Sequence, residues 1–451
     1  MKRTAVTLRR ALLFKLPMDY RQSITYLFSL QRFGIKLGLK NIQMLLSLLD
    51  NPHKNLRCIH IAGTNGKGST AAFLQSILRH SGYRTGLFTS PHLVNFTERI
   101  QINNAEITRK RVVQLVRLIR DICSQNGLEN ITFFEFITAL AFTYFAAEKA
   151  DPVVVETGMG GRLDATNVIH PLVTVITSIS MEHQLYLGNT LKAIAGEKAG
   201  IIKKNTPLVT GARQPVVIKL FAEKCKKLHA PLYMLGKDIL CKRTGTAAIK
   251  YCGLDADLIN VQPGLTGDHQ IRNAGLALGA AELLLRQGFS ITQEAMRKGL
   301  QQARWPGRLE LVQQHPSIVL DGAHNPEAWE ALRKALKKYF RCNRLFMVIG
   351  VMQDKDIARM IETLTPDAHT VIFCRPKMNR AAGEKDFARF AAALPAEKVL
   401  WINDTAAAVR KALVLALPDD LICVTGSLFT VGEAREQLLP GRLQTNGRIP
   451  M

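Results

Sequence analysis

Short runs of β-branched and aliphatic residues alternate with helical patterns through most of this chain. "CIHIAG", "RTGLFTS", "PVVVETG" and "LVTVITSI" are apolar throughout, as strands buried on both faces must be. Between them, the spacing predicts helices over Ser69–His80, Arg109–Gln125, Phe133–Lys149 and Thr190–Ala199. Strand and helix in alternation predict an α/β fold with a mainly parallel sheet. A second series follows: "SIVLDGAH", "RLFMVIGV", "TVIFCRP", "KVLWIND" and "DLICVTGS". It predicts a smaller Rossmann-like α/β domain, reached through a hinge near "ARWPGRLE". The length of 451 residues also favours two cores over one. The expected division is a basic extension over 1–17, a nucleotide domain over 18–304 and a second domain over 305–451. Residues 204–264 are less regular and read as a β-rich insertion or a sheet edge.

Within that frame, "HIAGTNGKGSTAAFLQSIL" runs from strand through glycine-rich turn to helix. It is not the ordinary phosphate loop, which has four residues between its glycines and a Ser or Thr after the lysine. Here Gly63 and Gly66 enclose only Thr64 and Asn65, and Gly68 follows Lys67. The physics is nevertheless favourable to an anion. Backbone N–H groups at a helix N-terminus converge on one point, and the helix dipole adds to the attraction. Lys67 supplies charge, and Ser69 and Thr70 supply hydroxyls. A plain glycine-rich turn is the alternative.

Three further strand ends carry reactive groups. Ser90 follows the second strand in "TSPHL" and points to the crevice where α/β proteins bind ligands. Glu156 closes the very apolar "VVVE", ahead of a glycine-rich turn holding Arg162 and Asp164. A carboxylate beside a phosphate loop suits Mg²⁺, a hard ion that prefers oxygen; helix capping is the competing use. Glu182 and His183 follow the fourth strand. A lysine, a hydroxyl, a carboxylate and an imidazole at one sheet edge are hard to obtain from packing alone.

Composition narrows the class. No apolar stretch is long enough to span a bilayer; "FITALAFTYFAA" is too short. The opening "MKRTAVTLRRALLFKLP" lacks the apolar core and cleavage site of a secretory signal, and reads as a disordered tail or as sequence upstream of a start at Met18. Eight cysteines show no CxxC spacing, which fits reduced thiols in a cytoplasm. The net charge of +24 attracts anions. Clusters such as "EKCKKLH" are nevertheless interleaved with apolar residues at helical spacing, so they read as solvated helix faces rather than a nucleic-acid module.

Taken in order, "HIAGTNGKGST", "SPHL", "TFFEF", "ETGMGGRLDATNV", "SISMEHQLYLGNT", "EKAGI", "DHQIRNA", "WPGRLE", "LDGAHNP" and "GVMQDKD" resemble the folylpolyglutamate synthases and bifunctional dihydrofolate synthases of the Mur ligase superfamily. The likeness runs from Met18 to "TGSLFTVGEAR". It implies an ATP-dependent amide ligase, in which a substrate carboxylate takes the γ-phosphate and glutamate displaces it. The implied partners are ATP, Mg²⁺, L-glutamate and dihydropteroate or a folate, handled by a cytoplasmic monomer without nucleic acid or membrane. The alternatives are folylpolyglutamate synthase alone, a UDP-muramoyl-peptide ligase, or a P-loop ATPase acting on nucleic acid.

By that resemblance, Thr64, Asn65, Gly66, Lys67, Gly68 and Ser69 cradle phosphates, and Ser90, Glu156 and His183 hold Mg²⁺. Asn273, Arg308 and Asp321 reach ATP from the first domain, the hinge and the second domain. Thr132, Phe134, Glu135, Leu163 and Asp164 match pterin-binding positions. Lys198 matches a lysine that relatives carry as a carbamate. With Lys67, His183 and His324 it completes the implied catalytic set, and Asn325 lies beside His324. Relatives carry Leu-Asp-His where this chain has Met181-Glu182-His183, a carboxylate longer by one methylene.

Overall fold

The structure is a computed structural model that describes residues 18–34, 36–245, 247–391 and 395–439. The predicted 1–17 extension lies outside them. The first eight strands are β1 (Cys58–Ala62), β2 (Gly86–Phe88), β3 (Ile100–Ile102), β4 (Ala105–Glu106), β5 (Val153–Glu156), β6 (Val173–Ile176), β7 (Leu208–Thr210) and β8 (Leu232–Met234). They form one sheet in the order β4-β3-β2-β5-β1-β6-β7-β8. All neighbours from β2 to β8 run parallel, and β3 and β4 fold back antiparallel.

The continuous apolar character of these strands follows from cover on both faces. Ile59, Ile61, Val154, Val173 and Val175 pack with Phe73, Leu74, Ile77 and Leu78 of helix Lys67–His80 and with helix Asp268–Leu285. The alternate residues Cys58, Val153 and Val155 pack on the other side, against Phe136 and Phe142 of helix Phe133–Ala147. Each such large apolar side chain contributes about 1.5–3 kcal/mol.

Residues 204–264 are more ordered than the sequence suggests. They supply β7 and β8, with helix Pro215–Leu228 between them. They then form a separate antiparallel sheet of β9 (Leu240–Thr244), β10 (Ala248–Cys252) and β11 (Asp257–Val261). β7 and β8 escape notice because three residues are too few to show a period.

The second sheet comprises β12 (Glu310–Gln314), β13 (Ser317–Leu320), β14 (Leu345–Ile349), β15 (Thr370–Cys374), β16 (Val399–Ile402) and β17 (Leu421–Thr425). Its order is β12-β13-β17-β14-β15-β16, parallel except for β12. The "ARWPGRLE" segment connects helix Gln293–Gln302 to this sheet. Asp268 clasps the two halves together. It accepts from Arg243 Nη2 at 2.7 Å, from Lys338 Nζ at 2.9 Å and from Tyr339 Oη at 2.9 Å. No helix among the described residues is long and apolar enough to cross a membrane.

Candidate active site

β2, β5, β1 and β6 are consecutive in the sheet, so Ser90, Glu156, Lys67 and His183 leave neighbouring strand ends. The glycine-rich loop is pinned by the residues that follow β6. Thr64 N donates to Ser178 O at 2.8 Å, Asn65 N donates to Ser178 Oγ at 3.0 Å, and Thr177 Oγ1 donates to Asn65 O at 2.7 Å. Gly66 caps the following helix with φ +90°, and a Cβ there would lie 2.3 Å from Asn273 Oδ1. Only glycine lets the loop and helix Asp268–Leu285 approach so closely.

Two lysine side chains meet at this loop, Lys198 buried and Lys67 half-buried. Lys67 Nζ donates to the carbonyls of Gly63 and Thr64 at 3.0 and 3.1 Å, and Lys198 Nζ donates to Gly63 O at 2.8 Å. Burial, reinforced by the charge of Lys67, pulls the Lys198 ammonium down to about 7. Burial likewise pushes the Glu156 carboxyl up to about 7, against the charges of Lys67, Arg308 and Arg99 and an N–H from Ser90 at 3.3 Å. His183, in left-handed backbone, is held down to about 4 by burial and by nearby Lys355, Lys67 and Lys198, with Glu182 opposing. A neutral imidazole is what a metal ligand must be.

The second sheet closes over the loop. His324 Nε2 lies 3.2 Å from Glu182 Oε1, and its Nδ1 lies 2.8 Å from Gly322 O. Burial opposes ionisation of Glu182, but the bond and charge of His324 outweigh it and hold the carboxyl well below the usual range. Asn325 Nδ2 donates to Asn65 Oδ1 at 2.9 Å, and Asn65 Nδ2 donates to Glu327 Oε2 at 2.7 Å.

Other expected site residues are engaged in shaping the backbone. Asp321 accepts from the N–H groups of Leu309 and Ala323, both at 2.9 Å, and so fixes the hinge turn. Arg308 Nη1 donates to Gly307 O at 3.1 Å in the same turn. Thr132 and Glu135 form a reciprocal cap on helix Phe133–Ala147, with the Glu135 carboxylate accepting from Thr132 N and Oγ1 at 2.8 Å. Asp164 accepts from Met159 N at 2.9 Å and from Thr166 N at 3.0 Å. Phe134 stacks on Phe88 with ring centroids 6.0 Å apart, and Leu163 is half-buried. Asn273 Nδ2 donates to Gln270 Oε1 at 2.9 Å. Ser69 is buried in the first turn behind the loop.

Three rim residues are absent from the expected site set, although the sequence did mark Glu182 beside His183. Glu182 bridges the domains, Lys355 faces His183, and Arg99 faces Glu156. Lys355 had a signal in "GVMQDKD"; Arg99 had only its place ahead of a short strand.

A glycine-rich loop set with lysines at a parallel sheet edge, closed by a second α/β domain, defines a two-domain P-loop enzyme. The Mur ligase middle-domain signature matches residues 61–281, and the Mur ligase glutamate ligase domain matches residues 307–428. A dihydrofolate synthase/folylpolyglutamate synthase of Bacillus subtilis is 37% identical over 428 residues, covering 93% of this chain and 99% of the relative. The crystal structure of folylpolyglutamate synthase from Thermotoga maritima superposes with a TM-score of 0.82 at 36% identity, over 96% of this chain and 98% of that one. An Escherichia coli structure in complex with DHPP and ADP gives a TM-score of 0.85 at 29% identity, over 95% and 99%. The chain belongs to the dihydrofolate synthase/folylpolyglutamate synthase family of Mur ligases, and is an ATP-dependent ligase.

Proposed function

We propose that this chain joins L-glutamate to the carboxylate of dihydropteroate and to the terminal γ-carboxylate of folates. The acceptor carboxylate attacks the γ-phosphorus of ATP and ADP leaves; the glutamate amine then attacks the acyl phosphate and inorganic phosphate leaves. The supporting observation is the convergence of Lys67, Lys198, Glu156 and His183 on one loop, under His324 and Asn325 of the second domain. Phosphoryl transfer needs positioning and charge neutralisation more than covalent help. Lys67 and the loop N–H groups hold the phosphates. Asn273, Arg308 and Asp321 flank the nucleotide at the junction, and His324 faces the reacting groups from the second domain.

The donor set fits Mg²⁺: a buried carboxylate that accepts one N–H, from Ser90, a serine hydroxyl and a neutral imidazole, with phosphate oxygens and water to complete the shell. When bound, the ion neutralises charge on the transferring phosphoryl group. Lys198 has the properties of a carbamate former, because CO₂ adds to a neutral amine and burial keeps part of this amine neutral near pH 7. Phe134, Leu163 and Asp164 line the pterin side, with Thr132 and Glu135 shaping it. The reading takes the partners to be small molecules and the protein a cytoplasmic monomer.

The second reading is chain extension alone. It is favoured by the engagement of Thr132 and Glu135 in their own cap. The test offers dihydropteroate and tetrahydrofolate separately, each with ATP, Mg²⁺ and glutamate. The proposal expects turnover with both, and Asp164→Ala to damage the dihydropteroate reaction more. Equal loss would remove the Asp164 assignment, and no dihydropteroate turnover would leave the second reading.

A further inference from the structure

Arg99 ends the short 3₁₀ turn Phe96–Arg99 and leads into β3. Its carbonyl accepts from Thr89 N at 3.0 Å, which ties it to the end of β2 beside Ser90. The side chain turns inward and is only 7% exposed. Nε donates to His92 Nδ1 at 2.7 Å, and the guanidinium carbon sits 5.4 Å from the centre of the Phe133 ring. Phe133 in turn stacks on Phe28 at 5.8 Å.

This cation is under-compensated. Among the described residues no carboxylate lies within 4.0 Å of it, and its two Nη groups have no hydrogen-bond acceptor. The neighbouring Glu98 is occupied in the "SPHL" turn, accepting from the N–H groups of Leu93, Val94 and Asn95 at 2.6, 2.9 and 2.7 Å. Glu156 faces Arg99, Lys67 and Arg308 at once, and Glu98 adds to the negative field at Arg99. With Nε bonded to a neutral ring nitrogen and no carboxylate in contact, the guanidinium fork keeps donors for an anion. The arrangement is that of a site completed by anions.

Location selects which anion. Lys67 of the glycine-rich loop and Lys198, which reaches the loop carbonyl of Gly63, lie on the β1 side of Glu156, whereas Arg99 enters from the β2–β3 side. There it borders Phe133, next to Phe134 at the start of helix Phe133–Ala147. An acceptor with a flat aromatic body on those rings and a carboxylate at one end would place that carboxylate between Arg99 and the γ-phosphate. A guanidinium fork matches a carboxylate in a two-bond geometry that lysine cannot reproduce. Building on the folate reading above, we propose that Arg99 binds the reacting carboxylate of the acceptor and aims it at the nucleotide.

The test measures equilibrium binding of dihydropteroate, and of its carboxamide analogue lacking the charge, to wild type, R99K and R99Q, with ADP and Mg²⁺ present. Losing a hydrogen-bonded charge pair should weaken dihydropteroate about 10–100-fold in R99Q. R99K should fall between R99Q and wild type, while carboxamide and ADP affinities stay within about twofold across all three. Equal dihydropteroate affinity in wild type and R99Q would overturn the proposal and leave the folate reading standing. So would a changed Mg²⁺ or ADP requirement with dihydropteroate binding intact, which would make Arg99 a counter-ion of Glu156. A wild type that binds neither pterin ligand overturns both.

Discussion

The molecule uses the strand–glycine–helix turn twice, with opposite outcomes. After β1, "GTNGKGS" leads into helix Lys67–His80; after β17, "TGS" leads into helix Leu428–Leu438. Both turns contain a glycine in left-handed backbone, Gly66 at φ +90° and Gly426 at φ +106°. The second turn is sealed by its own domain. A Cβ on Gly426 would meet the Gly350 carbonyl at 2.6 Å, and Thr430 Oγ1 donates to that carbonyl at 2.8 Å. The first has more residues, a lysine in the turn, a second lysine on the same carbonyl and acids on the flanking strands. Local backbone grammar makes a helix start in both places; what sets the first apart is the charge gathered around it.

Lys67→Ala should break this contrast most severely. Removing a charge from the transition state costs about 10²–10³-fold in kcat, read as ADP release with saturating substrates. A smaller loss would move the chemistry elsewhere. Asp321→Ala should follow, because it strands the N–H groups of Leu309 and Ala323; unpartnered buried donors cost about 1–3 kcal/mol, read as the urea midpoint.

Lys198 sharpens the contrast through pH. Its folded value near 7 is below its ordinary 10.5, so the unfolded chain binds the extra proton between those limits. Native stability therefore rises as pH climbs through that window, by about 2 kcal/mol from pH 7 to 9 in bicarbonate-free buffer. Lys198→Met should flatten that part of the slope; an unchanged slope would show that the amine titrates normally.

The two glycines should then separate function from folding. Gly66→Ala and Gly426→Ala each incur about 1–2 kcal/mol of left-handed strain, with steric cost added. Only Gly66→Ala should also weaken nucleotide binding, through the displaced Asn273; calorimetric titration with ADP distinguishes them. Smallest of all, Asp268→Ala removes an exposed clasp and should cost about 0–1 kcal/mol in thermal unfolding.

The sheet and loop were legible in the sequence because their signals are local. Apolar runs mark strands buried on both faces, and a lysine among glycines marks the turn. The contacts that assemble the site are not local. Glu182 and His324 are 142 positions apart, and Asn65 and Asn325 are 260 apart. Nothing near any of them announces the other. Thr132 and Glu135 are the opposite case, a Thr-x-x-Glu helix cap three residues apart that the sequence does display. Arg99 was silent for a different reason: a lone basic residue before a short strand has the same appearance whether it meets water or a buried ring.

The most direct test of the account follows an oxygen atom. With dihydropteroate labelled by ¹⁸O in its carboxylate, and ATP and glutamate supplied, an acyl phosphate must carry one labelled oxygen into the released inorganic phosphate. The account predicts that transfer in wild type and its loss in Lys67→Ala. Product formed with unlabelled phosphate, or with AMP and pyrophosphate in place of ADP, would contradict it.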